Sequence, residues 1–452
     1  MHIIILGCRE VGSSIARHFA AEGHALVVVD EDQELLNNLA DVLDVQTLCG
    51  VGSHPSILEA AGADRADMLI AVTPSDELNM VACQMAHALF QVPKKIARVR
   101  ELSYLKLVGS HVYSATNLPV DVVVSPELEV ATAIEKTMKV PGAFDTQSFA
   151  QERLMLVGVR LGPKAPILGE KISRWPHLGV RFEALAIFRD ERLLLPEGED
   201  HLEVGDDLYF LARTEHLAES LDFLGKHEHR VENAMIIGGG SVGYHLALRL
   251  QQRHIDVRIL EKDRERARFL ADRMDRLTVV HGDALNQEIL KQENAGRMDA
   301  VLCVTSDDAV NILAAVQAQQ MGVDNVLALV QRPSFVPLAE QVGLNKVISP
   351  QQITVSRILQ YVRRGQVESV HTVRDGMGEV LLLQVDEDCR AVGFHIRDLP
   401  CGAARVAAIL RPDGRIILPR EENIPLQPSD HVLIFARYEA LTAVEKLFGL
   451  NE

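Results

Sequence analysis

The residues Gly238-Gly239-Gly240-Ser241-Val242-Gly243 follow the apolar run Met235-Ile236-Ile237 and lead into a helical stretch from Tyr244 to Leu248. In a G-x-G-x-x-G loop of this kind the first glycine permits a tight turn. The second lets backbone approach a pyrophosphate, and the third lets helix pack on strand. The helix N-terminus then offers free N–H groups and the positive end of its dipole to an anion. Glu261 ends the next apolar run, about 20 residues on, where a carboxylate accepts from both ribose hydroxyls and repels a 2′-phosphate. NADP is disfavoured, whereas NAD(H) and ATP/ADP are served alike.

A second loop lies near the N-terminus, where Ile3-Ile4-Ile5-Leu6 precedes Gly7-Cys8-Arg9-Glu10-Val11-Gly12, with Asp30 in the position of Glu261. Arg9 stands where the middle glycine belongs. Its side chain obstructs close backbone approach unless the guanidinium itself contacts phosphate. Altered binding and a loop kept only for its fold are both open readings.

More residues fall beyond the carboxyl ends of strands, where open α/β sheets bind ligands. Gly50-Val51-Gly52 and Gly282-Asp283-Ala284 suit an adenosine edge; Thr73-Pro74 and Thr305-Ser306 suit phosphate or ribose. Arg98 and Arg100 are matched here with Val330 and Arg332, so that Arg98 lacks a basic counterpart and the two sites differ. The alternative for each is an ordinary strand-end turn.

Other chemistry is harder to place. The stretch Gly169-Glu170-Lys171-Ile172-Ser173 lacks the spacing and preceding strand of a phosphate-binding P-loop. No His, Lys or Tyr suited to proton transfer recurs between the two copies, so no catalytic residue is assigned. His54 and His281 lie near the loops, with a satisfied surface role as the simpler reading. The 17 histidines show no metal-ligand spacing, and no metal site is assigned. Cys8, Cys49, Cys83, Cys303, Cys389 and Cys401 form no C-x-x-C pair and read as free thiols, most of them buried, in a reducing compartment.

These loops belong to a long internal repeat. Val28-Val29-Asp30 reappears as Ile259-Leu260-Glu261, and Thr73, Asp76 and Asn79 reappear as Thr305, Asp308 and Asn311. Ser125-Pro126 matches Ser349-Pro350, and Leu202 to Asp206 match Leu426 to Asp430. A nearly constant displacement kept in order over such a span means duplication. In each copy, aliphatic runs (2–6, 25–29, 68–72 and 95–99 in the first) alternate with helical stretches, the pattern of βαβ units on a parallel sheet. A segment of short strands and Asp/Glu/Gly turns follows, with one amphipathic helix expected near its start. The fold class is therefore α/β, with two Rossmann-like parallel-sheet domains each followed by a small α+β domain. The expected boundaries are 1–140, 145–228, 232–360 and 367–452, with linkers near 141–150, 226–232 and 364–368.

The chain has 452 residues, and its 47% hydrophobic content with 4% aromatics describes aliphatic interiors. Its formal charge of −17 argues against nucleic-acid binding. No signal-peptide pattern or membrane-length apolar run is present in the sequence.

The order of domains resembles that of the TrkA-type peripheral subunits of bacterial Trk potassium-uptake systems, built from tandem RCK (KTN) domains. The resemblance rests on Ile3 to Gly12, Gly52-Ser53-His54-Pro55, Asp76 to Cys83, and Ile348-Ser349-Pro350-Gln351-Gln352, and covers essentially the whole chain. It implies a cytoplasmic regulatory subunit, peripheral to the inner face of the cell membrane, that forms a homo-oligomeric ring and gates a potassium-translocating membrane subunit. It implies NAD(H), and in many members ATP or ADP, as ligand. By position the contacts would fall on Gly7 to Val11, Asp30, Thr73, Pro74 and Arg98, and on Gly238 to Val242 and Glu261. Arg9 departs from the family's usual glycine, which leaves the first site's ligand open. The alternatives are an NAD-dependent oxidoreductase and a scaffold with vestigial sites.

Overall fold

The computed structural model describes residues 1–21, 23–140, 142–190, 192–226, 231–274, 277–344, 346–362, 367–374, 377–400 and 402–449. Residues 1–129 and 350–362 form one compact unit, and residues 130–349 and 363–452 form a second.

The first sheet is built from β1 (His2–Leu6), β2 (Ala25–Asp30), β3 (Gln46–Cys49), β4 (Met68–Ala71), β5 (Lys94–Arg98) and β6 (Val122–Val124). Its order is β3-β2-β1-β4-β5-β6, with parallel pairing throughout. The connections carry α1 (Glu10–Ala21), α2 (Gln33–Ala40), α3 (Pro55–Ala60), α4 (Asp76–Phe90) and α5 (Leu102–Leu105), and α6 (Pro126–Met138) follows. Ile3, Ile4, Ile5 and Leu6 are all fully buried, as expected of a strand covered by helices on both faces. The strand order reverses between β1 and β4, which opens a crevice at their carboxyl ends.

A five-stranded antiparallel sheet follows: β7 (Ala143–Phe149), β8 (Leu154–Arg160), β9 (Phe182–Arg189), β10 (Arg192–Leu194) and β11 (Asp207–Arg213), then α7 (Leu217–Phe223). The expectation of a linker over 141–150 is corrected here. Ala143 and Phe149 are buried in β7, which pairs with β8, while Pro141 lies outside the described residues. The module's α-helix also closes it rather than opening it.

The second parallel sheet repeats the first. It contains β12 (Asn233–Ile237), β13 (Asp256–Glu261), β14 (Thr278–His281), β15 (Ala300–Cys303), β16 (Val326–Leu329) and β17 (Val347–Ile348), in the order β14-β13-β12-β15-β16-β17. Its helices are α8 (Ser241–Gln252), α9 (Arg264–Arg273), α10 (Gln287–Gln292), α11 (Asp308–Gln320), α12 (Val336–Gln341) and α13 (Pro350–Val362). The last module holds β18 (Val367–Val373), β19 (Gly378–Gln384), β20 (Ala404–Leu410), β21 (Ile416–Ile417), β22 (His431–Arg437) and α14 (Leu441–Phe448). Its sheet order, β18-β19-β22-β20-β21, matches the first module strand for strand. Residues 227–230 and 363–366, inside the other two expected linkers, lie outside the described residues.

The two small modules share a core in which Leu156, Leu185, Phe188 and Leu211 of one meet Val380, Leu382, Leu433 and Phe435 of the other. In each module a buried aspartate in the last turn anchors an arginine. Asp206 accepts from Arg189 at 2.7 and 2.8 Å, and Asp430 accepts from Arg411 at 2.9 and 3.1 Å. Both carboxylates also take a turn amide, from Glu203 and Gln427, so the matched aspartates fix the turn as well as the charge pair.

The last helix of each sheet domain packs away from its own sequence neighbours. Val355 and Ile358 of α13 join Ile3, Ile5, Ile15 and Phe19 in the first sheet's core. Glu135 of α6 is held by Arg249 at 2.6 Å and Arg253 at 2.7 Å, both on α8. Burial pushes this carboxyl up, but the hydrogen bonds and charge of Arg249 and then Arg253 outweigh it and hold the group below its ordinary 4.5. A depressed carboxyl contributes stability above its unfolded value and loses it as pH falls through the folded one. Glu135→Gln is therefore expected to cost about 1 kcal/mol at neutral pH. Urea melts at pH 7 and pH 3.5 should show that difference shrinking in acid; a pH-independent difference would contradict the assignment.

Candidate functional site

The two glycine loops sit at the carboxyl ends of β1 and β12, and their backbone geometry is nearly the same. Gly7 has φ +102° and Gly238 φ +103°, a region L side chains rarely adopt. Each is backed by the end of the fourth strand: a Cβ on Gly7 would lie 3.1 Å from the Thr73 nitrogen, and one on Gly238 would lie 2.9 Å from that of Thr305. The third glycine is tighter still. A Cβ on Gly12 would stand 1.8 Å from the Gly7 carbonyl oxygen, and one on Gly243 would stand 2.0 Å from that of Gly238.

The middle position differs in kind. Gly240 is exposed, has φ −63°, and a Cβ there would meet nothing within 4 Å. Protein packing therefore places no demand for glycine at this point. In the first loop Arg9 occupies it and is exposed, as is Glu10. Helix α8 begins at Gly240 without a capping side chain, whereas Asp263 and Asp307 cap α9 and α11. Its first-turn amides, from Ser241 through Gly243, are thus left to another acceptor.

Each ribose-position carboxylate is already oriented. Asp30 accepts from the Cys8 amide at 2.6 Å and the Asp32 amide at 3.0 Å, one on each oxygen. Glu261 does the same with Gly239 at 2.6 Å and Asp263 at 2.8 Å. Each oxygen keeps a further lone pair, so a vicinal diol could be accepted without rearrangement.

Two asparagines position the other wall. Asn79 is fully buried, and its side-chain oxygen accepts from Thr73 N and Thr73 Oγ1 at 3.0 and 2.7 Å. Its Nδ2 donates to the carbonyls of Thr73 and Arg98. Asn311 repeats the set with Thr305 and Leu329. Asp76 takes the amides of Arg100 and Glu101, and Asp308 those of Gln331 and Arg332. All four residues recur between the copies in sequence. That recurrence was the available signal, but without the fold it marked only the repeat.

These bonds also correct the pairing of the fifth strands. Arg98 and Arg100 correspond to Leu329 and Gln331, not to Val330 and Arg332, because β16 is one residue shorter in register against β15. The difference between the sites remains: Arg98 has no basic counterpart. Its guanidinium is half-buried and stands 3.8 Å from Glu127.

Gly52 is buried facing Leu6, and Ala284 is buried. Asp283 is committed to its own turn and to Lys262 at 3.0 Å, and the Leu285 amide and Lys262 hold its carboxyl below the usual range. Pro74 and Ser306 are exposed, with their carbonyls taken by Arg100 and Gln331. Val11 and Val242 are partly buried behind the loops. Cys8, Cys83, Cys303 and Cys389 are buried thiols, with Cys8 pushed up to about 11 by burial and then by Asp30. Cys49 is exposed, and Cys401 lies outside the described residues. Among the described residues there is no cluster suited to a metal ion and no helix long and apolar enough to cross a membrane.

Known proteins share this arrangement. The TrkA-N domain family matches residues 3–126 and 234–350, and the TrkA-C domain family matches 156–225 and 380–449. The chain belongs to the TrkA family. The Trk system potassium uptake protein TrkA of Azorhizobium caulinodans is 36% identical, with 100% of this chain and 99% of that protein covered. The TrkA protein of Halomonas elongata is also 36% identical, over 100% and 99% of the two chains. Among solved structures, the GsuK RCK domain aligns with a TM-score of 0.62 at 17% identity, covering 99% of this chain and 95% of that one. A GsuK channel bound to NAD aligns at 0.60 and 17% identity, covering 99% and 79%. At such identity these two establish the RCK fold alone.

Proposed function

We propose that this TrkA-family chain is a cytoplasmic regulatory subunit that binds adenine nucleotides, NAD(H) or ATP/ADP, at both glycine loops. In this reading it assembles as a homo-oligomeric ring and gates a potassium-translocating membrane subunit. The names of its full-length relatives support the role in potassium uptake. The observation that carries the nucleotide assignment is the duplicated pair of Asp30 and Glu261, each already fixed by two backbone amides, one of them from its glycine loop.

The phosphates would rest on Gly7 to Gly12 and Gly238 to Gly243, with Thr73 and Thr305 as the far wall. Two ring geometries that hold the nucleotide differently would be shifted by it, and only by its differential affinity: about 5.5 kcal/mol moves 1:99 to 99:1. Several sites per ring share that demand. No reaction on the nucleotide is required. Purified protein incubated with NADH or ATP is expected to leave both intact; sustained conversion beyond the number of sites would sink the regulatory reading in favour of an oxidoreductase or nucleotidase.

A further inference from the structure

The two small modules, both in the second compact unit, meet through reciprocal contacts. Arg213 donates to the Ile416 carbonyl at 2.7 Å, and its counterpart Arg437 donates to that of Leu193 at 2.6 Å. Leu193 and Ile416 are themselves counterparts, since they pair with Phe188 and Leu410 in the matched strands β9 and β20. Such reciprocity marks an isologous interface, in which two identical partners would present the same surface to each other. The charges at this one are reversed between the copies. Glu183 lies opposite Leu211, and Arg405 lies opposite Phe435 in the equivalent register, so these two residues are counterparts. Glu197 and Arg420, which directly follow the matched Leu195-Pro196 and Leu418-Pro419, are counterparts too. Arg405 donates to the Pro196 carbonyl and stands 3.7 Å from Glu197. Arg420 donates to the carbonyls of Val180 and Phe182 at 2.5 and 3.0 Å, beside Glu183. Burial pushes the Glu183 carboxyl up to about 7, against the pull of Arg420, Arg405 and Arg397. Glu421, which holds Arg213 at 2.8 and 3.1 Å, has Gly198 as its counterpart.

We propose that these reversed charges make the first module a partner for the second alone, and bar each module from pairing with another copy of itself. The inference does not depend on the nucleotide reading. Two first modules would set Glu183 of each against Glu197 of the other, and would leave both Arg213 side chains without Glu421. Two second modules would set Arg405 against Arg420. Like charges placed together at an interface suppress the wrong partner. The apolar part of the surface carries no such preference. Leu185, Phe188 and Leu211 on one side and Leu382, Leu410 and Phe435 on the other are of one kind, so the choice of partner falls to the charges. The choice matters because the first module is synthesised before the second exists, with its apolar face open to other first modules. Pairing of like modules between chains would also link chain to chain without closure.

Reversing one side of the interface creates each like-sign pairing within the full chain. Arg405→Glu with Arg420→Glu makes both modules acidic there, and Glu183→Arg with Glu197→Arg makes both basic. All four substitutions together restore opposite signs. Calorimetric melts are expected to show the modules' transition lowered on the order of 5 °C in each two-site variant. In the four-site variant it should return to within about 2 °C of wild type. Raising sodium chloride from about 0.05 to about 1 M should narrow the gap between the acidic variant and wild type, because salt screens repulsion and leaves steric damage untouched. The inference is overturned if the four-site variant melts no higher than the two-site ones. It is equally overturned if the two-site variants melt with the wild type, or if the gap ignores salt. Should the chains carrying Glu183→Arg yield no folded protein, the acidic variant and its salt response decide alone.

Discussion

Gly243→Ala is expected to destabilise the second Rossmann-like sheet domain by about 3 kcal/mol, with a melting transition lowered on the order of 10 °C. The added methyl would stand 2.0 Å from the Gly238 carbonyl oxygen, a backbone atom that has no rotamer in which to escape. Either α8 moves off β12 or the loop opens, and both disturb packing around the fully buried Leu246 and Ala247. Gly12→Ala should behave alike in the first domain, where the approach is 1.8 Å. The measurement is differential scanning calorimetry without nucleotide. A variant melting within a degree of wild type would mean that the third glycine is not a packing requirement.

Asn311→Ala is expected to cost a similar amount, about 3 kcal/mol, by a different route. The fully buried side chain makes four hydrogen bonds, between 2.7 and 3.0 Å, to Thr305 and Leu329. Removing it leaves the Thr305 amide and two carbonyls without partners inside the protein, the costly side of hydrogen-bond energetics. Thr305 also backs Gly238, so the loop should loosen. Chemical denaturation and amide exchange at Thr305 report both effects. Unchanged protection there would show that the strand end holds itself. Asn79→Ala provides the matching test in the first domain.

What could be read in advance was local. Gly7 and Gly238 must adopt positive φ, and Gly12 and Gly243 must admit a carbonyl oxygen, within a few residues of an aliphatic strand; such constraints leave their mark on the residue type. Buried parallel strands such as Ile3 to Leu6 likewise read as unbroken aliphatic runs. Long-range choices left no such mark. The helices α6 and α13 have equivalent positions in the repeat, and nothing in Val355 or Ile358 says which sheet's core will take them. Strand β7 was hidden because Pro141-Gly142 beside it looks like a linker. The one-residue difference between β5 and β16 needed the hydrogen-bond register, since Arg100 and Arg332 are both arginines and invite the wrong match. Asn79 and Asn311 stood out only as repeated letters until their partners were placed around them.

The middle glycine separates fold from ligand most cleanly. Protein packing leaves Gly240 free to carry a side chain, so any demand for glycine there must come from what binds. Gly240→Arg, which copies Arg9 of the first loop, is expected to change stability by less than about 1 kcal/mol. Its calorimetric titration with NADH, beside that of the wild type, is the decisive measurement. The prediction is NADH binding by the wild type at the second loop, loss of affinity of at least about tenfold at that site in the variant, and NADH recovered unchanged. Identical titrations for the two proteins, or NADH consumed during the experiment, would contradict a nucleotide-binding regulator.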